Sequence, residues 1–310
     1  MWSHGRVTDT APIDTSGVDA AALTAIAMSV GVRAASHVRS RREELAADLA
    51  ARRVVAVSAK STPTDPVTVV DTEAEALIRG LLQQARPDDA ILGEEDGGSV
   101  DVPDGVRWVV DPIDGTVNFL YGLPTYAISI AAQIGGVTVA GAVVDVARAV
   151  VYAAQRDQGA FVTHCDNVTD TGVVIDPVGC RRLQPSTTVD VSMALVATGF
   201  GYSAARREVQ GGIVAALLPQ VRDLRRVGSA ALDLCMVAAG QVDAQFEHGL
   251  SPWDWAAGGL IAHEAGARVR LPGPDTRSAG GDVTVAVAPG IADRFFEVLD
   301  EVGALDAIPS

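Results

Sequence analysis

A short segment near the middle of the chain, DPIDGT (111–116), places two carboxylates on either side of a tight turn. Apolar residues before Asp111 predict a buried strand that ends there, and Pro112 keeps the preceding residue extended. Across such a turn Asp111 and Asp114 can face one point, with the Ile113 carbonyl as a third oxygen. Because Mg²⁺ prefers oxygen ligands, the segment predicts a metal site.

The next two residues, Gly115 and Thr116, lie where a helix is expected to begin. Backbone N–H groups at a helix N-terminus bind anions, and glycine allows a close approach of the backbone. The same segment therefore predicts a phosphate site beside the metal ligands. Taken alone, Asp-Pro followed by Asp-Gly is also typical of a turn with a helix cap. The functional interpretation thus depends on other acidic segments.

Two such segments are present. Glu94 and Glu95 end an apolar stretch, and no Lys or Arg close in sequence neutralises them. Asp254 lies between Trp253 and Trp255, followed by small residues that allow close helix packing. Taken singly, Glu94 could be a solvated strand end and Asp254 a helix cap. Together with the Asp111 segment, they favour a shielded ligand site.

The segment 54–72 is rich in Ser, Thr and Pro and adds a cation, Lys60, and the carboxylates Asp65 and Asp71. A solvated side chain for Lys60 and a helix cap for Asp71 are the simpler interpretations. The histidines are scattered singly, which does not favour a histidine metal site. No Walker or dinucleotide glycine motif is present.

Helix and strand signals surround these segments. Residues 1–18 are expected to form a tail, and 19–49 and 73–85 helices, the second with a capping box at Thr72 and Glu75. Further helices are predicted at 203–218, 229–239 and 253–265, and strands at 88–95, 107–111, 127–146 (a hairpin around Gly135-Gly136), 149–154, 159–163, 194–200, 243–247 and 283–288. Sheets with helices on their faces fit this pattern, with a boundary near 155–190.

The composition narrows the class of protein. The chain has 310 residues and a net charge of −15, which argues against binding nucleic acid or an anionic membrane through a basic face. Cys165, Cys180 and Cys235 form no zinc or disulfide pattern, so we expect reduced thiols and a cytoplasmic location. We expect no membrane span and no secretory signal.

Four segments resemble, in order, the signature motifs of the inositol monophosphatase family: KSTPTDPVTVVD (60–71), GEED (93–96), WVVDPIDGTVNF (108–119) and WDWAAGGLIAHEAGA (253–267). Residues 225–249 are similar to that family's substrate-binding stretch. Together these segments cover most of 55–270, and the DPIDGT and WDxAAG motifs are specific.

The resemblance implies an α/β (α+β) fold, a five-layer αβαβα sandwich. Its N-terminal α+β half would span 19–165 and hold the metal site, and its C-terminal α/β half would span 166–310. The implied activity is hydrolysis of inositol monophosphate and similar polyol phosphates with two or three Mg²⁺ ions, inhibited by Li⁺, in a homodimer. The implied metal ligands are Glu94, Asp111, the Ile113 carbonyl, Asp114 and Asp254.

The resemblance also implies roles around the reacting phosphate. Thr116, held by Asp71, would orient the attacking water, with Glu94 as a second acceptor and Lys60 as a further catalytic residue. The implied substrate contacts include some of the metal ligands, the phosphate cradle, and residues that contact the ring or the phosphate of the substrate: Glu94, Ile113, Asp114, Gly115, Thr116, Gly228, Ser229, Ala230, Glu247 and Asp254.

Other functions remain open at this point. Relatives with the same metal site act on fructose 1,6-bisphosphate, histidinol phosphate or 3′-phosphoadenosine 5′-phosphate, although residues 117–131 and 228–247 are more similar to the inositol type. A regulatory partner of the transcription and ribosome-assembly machinery is an alternative of another class. An inactive structural protein is least favoured, because the acidic set is intact.

Overall fold

A computed structural model describes residues 19–45, 58–59, 66–99, 101–174 and 177–310. The predicted tail at 1–18 lies outside these described residues, and so does Lys60. The first two strands, β1 (Ser58–Ala59) and β2 (Pro66–Val67), form a small antiparallel pair.

The larger sheet contains seven strands: β3 (Ala90–Gly93), β4 (Val106–Asp114), β5 (Ala127–Ile134), β6 (Val137–Asp145), β7 (Val150–Gln155), β8 (Gly159–His164) and β9 (Arg181–Arg182). They are arranged in chain order, and all pairs except β3–β4 are antiparallel. Gly135 and Gly136, both with positive φ, form the predicted β5–β6 hairpin turn. The central strands are apolar along their length because helices cover both faces of the sheet.

The smaller sheet contains five strands: β10 (Leu195–Thr198), β11 (Asp223–Arg225), β12 (Ala244–His248), β13 (Arg268–Arg270) and β14 (Val283–Val287). Their order is β11-β10-β12-β14-β13. Pairs β10–β11 and β10–β12 are parallel, and β14 is antiparallel to both of its neighbours. Parallel neighbours need crossover connections, which here contain helices.

Seven helices occur in the described part of the chain: α1 (Ala20–Glu44), α2 (Val69–Ala85), α3 (Thr116–Tyr121), α4 (Ala204–Leu217), α5 (Ala230–Ala238), α6 (Pro252–Ala265) and α7 (Ala292–Glu301). Helices α1 and α2 pack on the outer face of the larger sheet, and α5 and α6 lie between the two sheets. Helices α4 and α7 cover the outer face of the smaller sheet. The predicted five-layer αβαβα sandwich is therefore confirmed.

The predicted start of the second helix is wrong. Helix α2 begins at Val69, and its capping box is formed by Thr68 and Asp71 instead of Thr72 and Glu75. Thr68 has the extended backbone of a cap residue, and its hydroxyl accepts from the N–H groups of the first turn. Thr72 and Glu75 are already inside the helix.

Four elements of the second half were not predicted: strands β9, β11 and β13 and helix α7. These strands have only two or three residues, too few to show a period of two. Helix α7 follows Ile291 and has no side-chain cap, so its start carried no signal. Strand β9 joins the larger sheet beyond residue 165, while the division into 19–165 and 166–310 remains a prediction.

Helix α1 is the one described helix that is long and apolar enough, by length and composition, to cross a membrane. Its buried residues, among them Leu23, Ala27, Ala34 and Val38, belong to the hydrophobic cluster on the larger sheet. Packing inside the molecule therefore accounts for its apolar character.

Candidate active site

An irregularity at the end of β4 brings Asp111 and Asp114 to the same face of the sheet. Asp111 pairs with Ser129 and Asp114 with Ala127, so β4 advances three residues while β5 advances two. Side chains alternate between faces along a strand, and residues three apart would otherwise point to opposite sides. The extra residue of this bulge makes the two carboxylates converge.

A third carboxylate comes from the first turn of α6. The Asp254 Oδ2 atom accepts a hydrogen bond from the Ser251 N–H at 2.7 Å, as the N3 residue of a capping box. The Ser129 hydroxyl donates to the Trp253 carbonyl at 2.9 Å, which anchors this turn beside the end of β4. Carboxylate oxygens of Asp111, Asp114 and Asp254 lie within 4.8 Å of one another. We call these three residues the carboxylate cluster.

The carboxylates of this cluster repel one another. Desolvation, followed by the charges of Glu94 and Asp114, raises the pKa of Asp254 well above its usual value. Desolvation also raises the pKa of Asp114, although hydrogen bonds from Ser229 and Ala231 oppose that shift. A bound cation would relieve both the desolvation cost and the repulsion. The donor set, all oxygens, fits a hard divalent cation.

Glu94 lines the same cavity but does not belong to the carboxylate cluster. The loop that carries it is held by Glu75 of α2, whose carboxylate accepts from the N–H groups of Glu95 at 2.8 Å and Asp96 at 3.0 Å. Arg79 neutralises Glu75 at 2.8 Å. This supporting role differs from the predicted role of Glu75 as a cap residue, because it depends on a contact with a loop 20 residues further along the chain.

Asp71 and Thr116 meet beside the cluster. The Thr116 hydroxyl donates to Asp71 Oδ1 at 2.9 Å, with the Ile113 carbonyl as an alternative acceptor at 3.0 Å. Asp71 is fully buried and also accepts from the Thr68 N–H at 2.9 Å. It is thus both the helix cap of the simpler interpretation and the partner of Thr116.

Asp114 also connects the two sheets. Its Oδ2 atom accepts from the Ser229 hydroxyl at 2.6 Å and from the Ala231 N–H at 2.7 Å, at the N-terminus of α5. Gly115 has φ +99°, and a Cβ there would lie 3.0 Å from the Gly228 carbonyl. The predicted phosphate segment and the predicted substrate contacts at 228–230 are therefore adjacent.

Glu247 also lines the cavity, at a position where β12 approaches its end. A Cβ on Gly199, which follows β10, would lie 2.1 Å from a Glu247 carboxylate oxygen, so only glycine leaves room for this side chain. Desolvation raises the pKa of Glu247 to about 7, which Arg226 opposes and Asp114 reinforces. Neither Gly199 nor Arg226 was predicted.

The cavity has a volume of about 560 Å³, within the range of small-molecule sites. Of the predicted site residues, Asp71 supports it from behind, and Lys60 is outside the described residues. All the others line it: Glu94, Asp111, Ile113, Asp114, Gly115, Thr116, Gly228, Ser229, Ala230, Glu247 and Asp254. The roles assigned to them remain predictions.

Comparison with known proteins agrees with this site. The sequence profile of the inositol monophosphatase family matches residues 19–302. Inositol-1-monophosphatase SuhB of Mycobacterium tuberculosis is 52% identical over 294 residues, which cover 93% of this chain and 97% of that protein. The solved structure of Mycobacterium tuberculosis SuhB superimposes with a TM-score of 0.75 at 46% identity, covering 93% of this chain and 99% of that one.

A relative with a different name is also similar. Nus factor SuhB of Escherichia coli K12 is 41% identical over 206 residues, which cover 66% of this chain and 71% of that protein.

Proposed function

The chain belongs to the inositol monophosphatase family and is an inositol-phosphate phosphatase, and we propose that it hydrolyses inositol monophosphate and similar small polyol phosphates with Mg²⁺. The observation that carries the metal requirement is the carboxylate cluster, three converging oxygen donors at the floor of one cavity. Relatives that are 52% identical are named inositol-1-monophosphatase, which supports inositol monophosphate as a substrate.

We propose that Asp111, Asp114, Asp254, Glu94 and the Ile113 carbonyl hold two or three Mg²⁺ ions. When bound, Mg²⁺ supplies a Lewis acid that offsets phosphate charge and makes water more acidic. The backbone around Gly115 and Thr116 would hold the phosphate beside these ligands.

Attack on phosphorus needs a positioned water molecule. Because the Thr116 hydroxyl donates to Asp71, its lone pairs can accept a hydrogen bond from that water. Glu94 would be the second acceptor, and Lys60 a further catalytic group. Holding the nucleophile in line with the ester bond removes much of the entropic barrier. No covalent intermediate with the protein is part of this proposal.

The ring-binding role proposed for Glu247 rests on its place in the cavity lining, outside the carboxylate cluster. An ionised carboxylate can accept hydrogen bonds from two hydroxyl groups, and an inositol ring presents several. Such bonds to a charged acceptor contribute roughly 1.5–3 kcal/mol each. Gly228, Ser229 and Ala230 would form the neighbouring wall.

Further parts of the proposal concern the whole protein. Members of the family are generally oligomeric, and we propose a homodimer that is inhibited by Li⁺ and works in the cytoplasm. Size-exclusion chromatography with light scattering tests the dimer, and a LiCl titration of phosphate release tests the inhibition.

A phosphate-release panel tests the substrate. Inositol 1-phosphate, glycerol 2-phosphate, fructose 1,6-bisphosphate, histidinol phosphate and 3′-phosphoadenosine 5′-phosphate would be compared at fixed Mg²⁺. We expect the highest kcat/KM for inositol 1-phosphate. A higher value for one of the last three esters would assign the chain to that branch of the family.

A second role is suggested by the relatives named Nus factor SuhB. A pull-down from lysate with and without Mg²⁺, followed by identification of bound proteins, tests it. Capture of transcription proteins by the wild type and by an inactive Asp114→Asn variant alike would support a binding role that does not require catalysis.

A further inference from the structure

Three polar side chains are buried behind the Glu247 wall of the cavity. Asp233 on α5, Gln245 on β12 and Thr284 on β14 are at most 1% exposed. Asp233 Oδ1, both amide atoms of Gln245 and Thr284 Oγ1 have no hydrogen-bond partner among the described residues. We call these three residues the buried polar group.

The register of the sheet places this group on one face together with Glu247. Gln245 and Glu247 are two residues apart on β12, and Thr284 is the antiparallel partner of Glu247. Directly paired residues, and residues two apart, project to the same side of a sheet. Ala197, which pairs with Gln245, belongs to one apolar cluster with Leu234 of α5, so this face is the one that α5 covers.

Asp233 approaches the same point from the helix. Its N–H donates to the Ser229 carbonyl at 3.0 Å, and residues three or four apart share a helix face. Asp233 therefore lies beneath Ser229 and Ala230, which line the cavity. Desolvation and then the charge of Glu247 raise the pKa of Asp233 well above its usual value, in agreement with this placement.

Buried polar atoms of this kind are normally satisfied by protein or by ordered water. The unpartnered atoms here include a donor, the amide nitrogen of Gln245, and an acceptor, Asp233 Oδ1, while the Thr284 hydroxyl can be either. A metal ion would satisfy only the oxygens and would repel the N–H groups. Water both donates and accepts and needs two to four polar partners, so it fits the mixed set.

We infer that ordered water links Asp233 and Thr284 to the inner side of Glu247, which makes Asp233 a positioning residue for the substrate contact. The inference rests on the proposed function, in which Glu247 accepts from ring hydroxyls. On its other side Glu247 lies against Gly199, where even a methyl group would clash. The Glu247 carboxylate is thus held between the Gly199 backbone and the buried water.

Two substitutions of Asp233 separate this role from simple packing. Asp233→Asn keeps the shape and the polar atoms, whereas Asp233→Val removes them. The measurement is the ratio of kcat/KM for inositol 1-phosphate to that for glycerol 2-phosphate, because only the first ester offers a full ring of hydroxyls. We expect Asp233→Val to lower this ratio about tenfold, equivalent to about 1.4 kcal/mol, and Asp233→Asn to restore it.

Asp243→Asn is a matched control. Asp243 is also buried in the second half, and its carboxylate accepts from Thr188 at 2.6 Å and from the Leu195 N–H at 2.7 Å, but it does not line the cavity. We expect this variant to lower Tm and to leave the ratio unchanged. A ratio that falls as far in Asp243→Asn as in Asp233→Val would overturn the inference.

Thr284→Val and a high-resolution crystal structure keep the inference testable if Asp233→Val does not fold. Thr284→Val should lower the same ratio, and the wild-type structure should show water in contact with Asp233 Oδ1 and Thr284 Oγ1. A dry interior, or an unchanged ratio in both Val variants, would overturn it.

Glu247→Gln distinguishes the two levels of the proposal. If Glu247→Gln leaves the ratio unchanged, the ring-binding role of Glu247 is wrong. If Glu247→Gln lowers the ratio while Asp233→Val does not, only the positioning role of Asp233 is wrong.

Discussion

Two buried acidic sites lie at the ends of β4 and β6 in the larger sheet, and they differ in how the buried charge is compensated. At the end of β6, Asp145 is 1% exposed, and its carboxylate receives the Arg148 guanidinium at 2.7 Å and the Arg148 N–H at 2.9 Å. At the end of β4, Asp111 is equally buried, but its neighbours include the carboxylates of Asp114 and Asp254.

The difference distinguishes a carboxylate that stabilises the fold from carboxylates that can bind a metal ion. Asp145 is neutralised by a residue three positions away, so its site is complete within one turn of the chain. Asp114 and Asp254 have no Lys or Arg within ion-pair distance among the described residues, and desolvation raises the pKa of both. Buried carboxylates that converge and have raised pKa values, such as Asp114 and Asp254, are the arrangement expected where a metal ion binds.

Removal of metal ions should produce the largest difference between these two acidic sites, because only the site at the end of β4 is proposed to bind metal. We expect exhaustive EDTA treatment to abolish phosphate release while the protein stays folded, with activity restored by Mg²⁺ and not by Zn²⁺. The measurement is phosphate release before and after metal addition, with circular dichroism as the control for folding. Activity that survives EDTA would contradict the metal requirement.

Asp114→Asn should have the next largest effect. The amide keeps the shape of the side chain and can still accept from Ser229 and Ala231, but it removes a charge from the carboxylate cluster. We expect kcat to fall by about 10²–10³-fold, the cost of losing one preorganised electrostatic group, with little change in metal-free Tm. Activity within a few-fold of the wild type would leave Asp114 as a cap residue only.

Asp145→Asn should have the opposite pattern, a loss of stability without a loss of activity. It removes the charge that pairs with Arg148, so we expect the free energy of unfolding to fall by about 1–3 kcal/mol while kcat stays the same. Urea unfolding monitored by fluorescence measures this change. Asp223→Asn is the control, because Asp223 forms an exposed pair with Arg225, and such pairs contribute little to stability. Equal losses in the two variants would contradict the importance of burial.

The smallest expected effect concerns pH. Desolvation raises the pKa of folded Glu247 from 4.5 to about 7, so the folded state holds this proton more tightly than the unfolded state. This carboxyl should therefore stabilise the metal-free protein fully below its unfolded pKa of 4.5, and that contribution should be lost as the pH rises through 7. Urea unfolding at several pH values measures the slope, which Glu247→Gln should reduce. An unchanged slope in that variant would assign the loss to other groups.

Most of the cavity could be predicted because its residues carry local signals. The DPIDGT turn, the acids at 94–95 and Asp254 between two tryptophans stand out in the sequence, and long strands such as β5 and β6 show their character over eight or nine residues. The five-layer arrangement came from the family resemblance, since no local pattern specifies how two sheets stack.

What could not be predicted depends on contacts between distant segments. Glu75 supports the Glu94 loop only because α2 packs beside β3, and Gly199 meets Glu247 only because β10 and β12 are neighbours. The bulge that turns Asp111 and Asp114 to one side is a property of strand pairing, which a single segment does not show. In the sequence, Asp233 resembles any polar residue of a helix, and only the packed structure shows that it is buried.

The hydrogen bonds from Ser229 and Ala231 to Asp114 have a genetic consequence. One carboxylate both belongs to the carboxylate cluster of the larger sheet and caps the helix that leads into the smaller one. Substitutions at 114 and 229 therefore act on a shared bond, and their effects should not add. In a mutational scan this pair would appear as strong epistasis between residues 115 positions apart.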